Sequence, residues 1–149
     1  MCGLTSTTLA ANTPIDGTGS WSIISGNGGT VETPASPTSN FDGIAGESYV
    51  LRWTITNDPC APSIDELSIT FIQEPTIADA GPDQIDGFMC GITSTTLAAN
   101  APTIGTGLWS IVSGNGGTVD TPASPTSNFN GIAGETYVLR WTIKNAPCP

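Results

Sequence analysis

The sequence contains no histidine, and its 149 residues include only three basic ones, Arg52, Arg140 and Lys144. Without histidine there is no Ser-His-Asp triad, no Cys-His nucleophile pair and no histidine-ligated zinc. Three cations stand against 13 acidic residues, a formal net charge of −10. Such a polyanion cannot neutralise a run of phosphates, which argues against nucleic acid and anionic membrane surfaces as partners. No stretch approaches the roughly 18 apolar residues of a membrane-spanning helix, so no membrane insertion is expected, and no signal peptide is visible. No segment shows a convincing helical period.

What is abundant is threonine (22), glycine (18), serine (14) and proline (12). Together with 38% hydrophobic residues, this composition favours strands and turns around a core over helices. The dominant signal is internal repetition. Residues 1–61 align without gaps to residues 89–149, an offset of 89 − 1 = 88, with 12 differences and hence 61 − 12 = 49 identities. Most differences are mild, such as Leu4/Ile92 and Ser48/Thr136; Asp16/Ile104, Ser20/Leu108 and Thr56/Lys144 are larger. The chain thus holds one period of 88 residues and 61 residues of the next. A piece of a longer array is expected; the alternative is a two-repeat protein starting at Met1.

Alternation and turn chemistry place the strands. Ser20–Ile24 and Leu108–Val112 are strands with Trp21, Ile23, Trp109 and Ile111 facing inward, followed by the Gly-Asn-Gly-Gly turns at 26–29 and 114–117. Short strands are expected around Thr30 to Glu32 and Thr38 to Phe41. The clearest strand is Tyr137–Ile143, with Tyr137, Leu139, Trp141 and Ile143 on one face; Tyr49, Leu51, Trp53 and Ile55 repeat it. Leu67–Phe71 reads as a closing strand and Glu74-Pro75-Thr76 as a linker. The expected modules are residues 1–75, lacking an opening segment, and residues 76–149, lacking a closing strand. About seven short strands per 88 residues describe an all-β, immunoglobulin-like sandwich. Trp21, Trp53, Trp109, Trp141, Tyr49 and Tyr137 are expected in the cores rather than in a carbohydrate platform.

The segments Ala80-Gly81-Pro82-Asp83-Gln84, Cys90, Thr95-Thr96-Leu97, Gly105-Thr106-Gly107, Trp109, Tyr137 through Ile143 and Cys148 resemble a PKD-like, immunoglobulin-like repeat of giant secreted surface proteins in Bacteroidetes-type bacteria, including gliding-motility adhesins. The resemblance covers nearly the whole chain. It implies tandem β-sandwich modules on the extracellular bacterial surface. Their role would be structural: a fibre or adhesin stalk without catalysis, in which neighbouring identical repeats are the partners, within one chain or head to tail between chains. An edge left open by a missing strand would then be completed by a neighbour, which would allow filaments. A glycan- or surface-polymer-binding adhesin module is the alternative.

In a secreted chain, four cysteines at matched positions argue for disulfides. The default is one bridge per module, Cys2–Cys60 and Cys90–Cys148. The first cysteine of each pair precedes the second strand and the second follows the sixth. In an up-down sandwich those strands run the same way, which puts the two ends at opposite poles and keeps Cys2–Cys148 open as an inter-module alternative. Asp79, Asp83 and Asp86 are weak candidates for calcium, since their spacing matches no known calcium loop; a solvated face is the plainer reading, and no other cofactor is expected. A lysine–asparagine crosslink in every repeat is excluded, because Thr56 stands where the second repeat has Lys144. Serine and threonine runs lack a general base, and no enzyme is expected.

Overall fold

The computed structural model describes residues 2–85 and 90–148. It is all-β, with no helix among the described residues. The chain divides into two compact units, Met1–Gln73 and Glu74–Pro149.

The first unit has two antiparallel sheets. One orders β1 (Ser6–Thr8), β4 (Asn40–Asp42) and β3 (Thr30–Val31) as β1-β4-β3; the other orders β2 (Thr18–Ser25), β5 (Ser48–Thr56) and β6 (Ser63–Thr70) as β2-β5-β6. A single hydrophobic cluster draws on both sheets. Phe41 comes from β4, while Trp21, Tyr49, Leu51, Trp53 and Ile69 come from the second sheet; Leu9 and Phe71 complete it. Alternation explains the choice of side chains. Tyr49, Leu51 and Trp53 sit at every second position of β5 and are buried, while the residues between them are only half-buried.

The second unit repeats this plan with one element fewer. β7 (Ser94–Thr96), β10 (Asn128–Asn130) and β9 (Thr118–Val119) form one sheet, and β8 (Thr106–Ser113) pairs with β11 (Val138–Lys144) in the other. The registers match those of the first unit at the 88-residue offset. Trp21 lies opposite Trp53 and Trp109 opposite Trp141, with ring centroids 5.2 Å apart in both units. Both pairs carry the same bulge, with Ile24 and Val112 as the extra residue. The glycine two residues before the first tryptophan of each pair has a steric reason. A Cβ on Gly19 would lie 2.1 Å from the Trp53 ring, and one on Gly107 would lie 2.1 Å from Trp141. The indole occupies the space that a side chain would need at that position.

Several expectations from the sequence change in detail. Among the described residues the units hold six and five strands rather than about seven. β1 and β7 are runs of serine and threonine with no apolar alternation to announce them. β6 begins at Ser63, four residues before Leu67, because Ile64, Asp65 and Glu66 pair through the backbone while their side chains stay in solvent. β11 begins at Val138, one residue after Tyr137.

Candidate functional site

Four features were candidates for chemistry: the cysteines, the acidic segment, the aromatics and the open edges. In the first unit, Cys2 sits beside the end of the closing strand. It forms a parallel bridge to Ile72, and the Gly3 N–H donates to the Ile72 carbonyl at 2.9 Å. Cys60 lies in the turn between β5 and β6, where its N–H donates to the Asn57 carbonyl at 2.9 Å. Ser63 to Ile72 is nine steps of extended chain, about 30 Å at roughly 3.3 Å per residue. A disulfide needs its Cα atoms within about 7 Å. The two cysteines of this unit are therefore at opposite poles and cannot bond to each other.

The oxidation states follow suit. Cys2 and Cys148 are disulfide-bonded, whereas Cys60 and Cys90 are free thiols exposed to solvent. The expected bridges Cys2–Cys60 and Cys90–Cys148 are thus not formed, and in the first unit the reason is the length of β6, which separates the two cysteines. Cys148 occupies the turn equivalent to that of Cys60, its N–H donating to the Asn145 carbonyl at 2.8 Å, and is itself buried.

The acidic segment has a backbone role. Asp79 accepts the Gly81 N–H on Oδ1 at 2.9 Å, and Asn100 both accepts the Asp79 N–H and donates to the Ile77 carbonyl. Gln84 donates to the Thr96 carbonyl and accepts from the Thr95 hydroxyl, which anchors the segment along β7. Asp83 is exposed, and Asp86 lies outside the described residues. Among the described residues no three His, Cys, Asp or Glu side chains converge on a metal-sized site.

All four tryptophans are buried, as is Tyr49; Tyr137 is half-buried. No Trp, Tyr or Phe is exposed among the described residues. Each tyrosine hydroxyl ties two loops together. Tyr49 donates to the Asn27 carbonyl at 2.7 Å and accepts the Ile44 N–H at 2.9 Å; Tyr137 does the same with Asn115 and Ile132.

The units are open in reciprocal places. The first unit has no counterpart of the Thr76–Gln84 segment, and a cavity of about 300 Å³ lies against Ala11, Asn12, Trp21 and Trp53. Among the described residues the second has no counterpart of β6, and a groove of about 590 Å³ runs along Phe129, Tyr137 and Leu139. The size and lining of each opening follow from the packing of the two sheets. No protein-family model matches the chain, and no curated protein matches it.

Proposed function

We propose that the chain is a non-catalytic structural repeat of an extracellular bacterial surface fibre or adhesin stalk, built from PKD-like, immunoglobulin-like modules. The observation that carries this reading is that two stretches 88 residues apart, identical at 49 of 61 positions, reuse the same registers, the same tryptophan pair and the same bulge. A spacer gains reach from identical units stacked in series. Two distinct binding sites would call for the units to diverge where they meet ligand, whereas only 12 of 61 positions differ here and most of the changes are mild.

The chemistry on the surface agrees with a spacer. The exposed thiols of Cys60 and Cys90 have no histidine in the chain to act as base, and the buried aromatics leave no stacking platform for sugars among the described residues. High negative charge favours solubility and discourages lateral sticking. The test is immunogold electron microscopy of the producing cells with antibodies raised against the 149-residue protein. Labelling along surface filaments is the expected result. Labelling confined to the cell interior overturns the reading, and a glycan array with specific hits would replace it with the binding-module alternative.

A further inference from the structure

The chain holds three Asn-Gly dipeptides, at residues 27–28, 115–116 and 130–131. In such a pair the backbone nitrogen readily attacks the asparagine side-chain amide, because glycine has no Cβ to screen its N–H. The three differ in what holds them. Asn27 and Asn115 lie in the turns after β2 and β8 and are exposed, with glycine on both sides. Gly26 and Gly28 have φ of 105° and 69°, Gly114 and Gly116 of 107° and 74°. Among the described residues no acceptor takes the Gly28 or Gly116 N–H, and no partner holds the Asn27 or Asn115 side-chain amide. The third pair is held at both reacting groups. Asn130 is half-buried in β10, its Nδ2 donating to Asp120 Oδ1 at 2.7 Å, and the Gly131 N–H donates to the Thr93 carbonyl at 2.8 Å.

One atom of each exposed pair is fixed. The Asn27 main-chain carbonyl accepts from the Tyr49 hydroxyl at 2.7 Å, and that of Asn115 accepts from Tyr137 at 2.7 Å. Each hydroxyl is itself held by an N–H that it accepts at 2.9 Å, from Ile44 or Ile132. A donor fixed on a carbonyl oxygen favours attack at that carbon, since negative charge develops on the oxygen. These turns therefore leave the side-chain amide and the glycine nitrogen unheld while they polarise the asparagine main-chain carbonyl.

We propose that Asn27 and Asn115 are sites of spontaneous deamidation, that Tyr49 and Tyr137 steer the product toward isoaspartate, and that Asn130 is spared. The Gly28 nitrogen, losing its proton, bonds to Asn27 Cγ. The Cγ–Nδ2 bond breaks, and ammonia leaves with that proton. A five-membered imide results, which includes the Asn27 main-chain carbonyl. Water then adds to one of its two carbonyl carbons. Addition at the main-chain carbon, whose oxygen meets the Tyr49 hydroxyl, breaks its bond to the Gly28 nitrogen. The chain then runs through Cγ, which is isoaspartate; addition at Cγ gives aspartate instead. One water is consumed and one ammonia released, with no oxidant or cofactor. Asn115, Gly116 and Tyr137 act in the same way. Each conversion adds one negative charge to the formal −10, and isoaspartate adds one methylene to the backbone of a turn that a tyrosine anchors. The chemistry belongs to each unit by itself and is independent of the fibre reading.

The experiment incubates the 149-residue protein warm at mildly alkaline pH beside a synthetic peptide of residues 22–33. Samples are digested at intervals and sequenced by electron-transfer fragmentation, which separates isoaspartate from aspartate at each position. Isoaspartate is expected at Asn27 and Asn115, forming on the order of tenfold faster than any product at Asn130, where two hydrogen bonds must open first. Its share of the product at both sites should exceed the share in the peptide. Tyr137→Phe should lower the share at Asn115 to the peptide value and leave that at Asn27 unchanged. Asn130 staying intact in this variant shows that the second unit remains folded; if Asn130 reacts there, the share in the unsubstituted protein against the peptide decides. Asn27 and Asn115 unreacted while the peptide converts, equal conversion of Asn130, or a share no higher than that of the peptide would overturn the proposal.

Discussion

Tyr49 and Tyr137 each serve two loops through one oxygen atom, yet they should not be worth the same. Tyr49 is enclosed, so Tyr49→Phe takes from the Asn27 carbonyl and the Ile44 N–H, at a part-buried site, the hydroxyl that bonds both. A cost of about 1–3 kcal/mol is expected, with a smaller one for Tyr137→Phe, where solvent reaches the ring; urea denaturation of the two variants checks the order. The tryptophans offer a parallel case. The Trp109 Nε1–H donates to the Pro125 carbonyl at 3.2 Å, but that of Trp21 is buried without a partner. Trp21→Phe and Trp109→Phe remove the same volume, so their difference reports the hydrogen bond. Trp109→Phe should be the costlier by about 1 kcal/mol in the same measurement. That both tryptophans face inward was legible from alternation alone. Which indole found an acceptor was not, because the acceptor of Trp109 is the Pro125 carbonyl, in a loop 16 residues away.

Among the strands, β6 decides whether a sandwich is closed. Phe71 contacts Phe41, Tyr49 and the open backbone of Gly43, and none of these contacts has a counterpart in the second unit. Phe71→Ala should destabilise the first unit by about 3–5 kcal/mol and leave the second untouched. Hydrogen exchange resolved by peptide would show this as lost protection across β5 with β8 and β11 unchanged. The tryptophan–glycine crossings are a second point of failure. Gly19→Ala puts a methyl group where the Trp53 ring lies, and the strand pair must open to admit it. The long strands were readable from period-two alternation, because their burial is one-sided. β1 and β7 were not, since three serines and threonines held by backbone bonds carry no such pattern.

For the molecule as a whole, the cysteines and the charge set the terms. With Cys60 and Cys90 free and exposed and Cys2 and Cys148 bonded, a maleimide applied to the native, unreduced protein should label the first two and spare the others. Non-reducing peptide mapping checks this; a Cys2–Cys60 or Cys90–Cys148 peptide would contradict it. The charge is uneven. Residues 62–88 hold Asp65, Glu66, Glu74, Asp79, Asp83 and Asp86 and no base, so six of the 13 acids lie in the segment that closes one repeat and opens the next. In the array proposed above, this would place repulsion at regular intervals, opposing side-by-side association and weakening as salt shortens the Debye length.

By itself the sequence determined the all-β class, the 88-residue period and the inward faces of the long strands. These follow from local alternation and from comparison of the chain with itself. The tertiary structure alone decided which cysteines are bonded and how far each missing strand leaves the core uncovered. A disulfide depends on two Cα atoms coming within about 7 Å, and whether they do is set by the length and direction of every strand between them. An open groove likewise exists only once two sheets have packed and one edge remains without a neighbour.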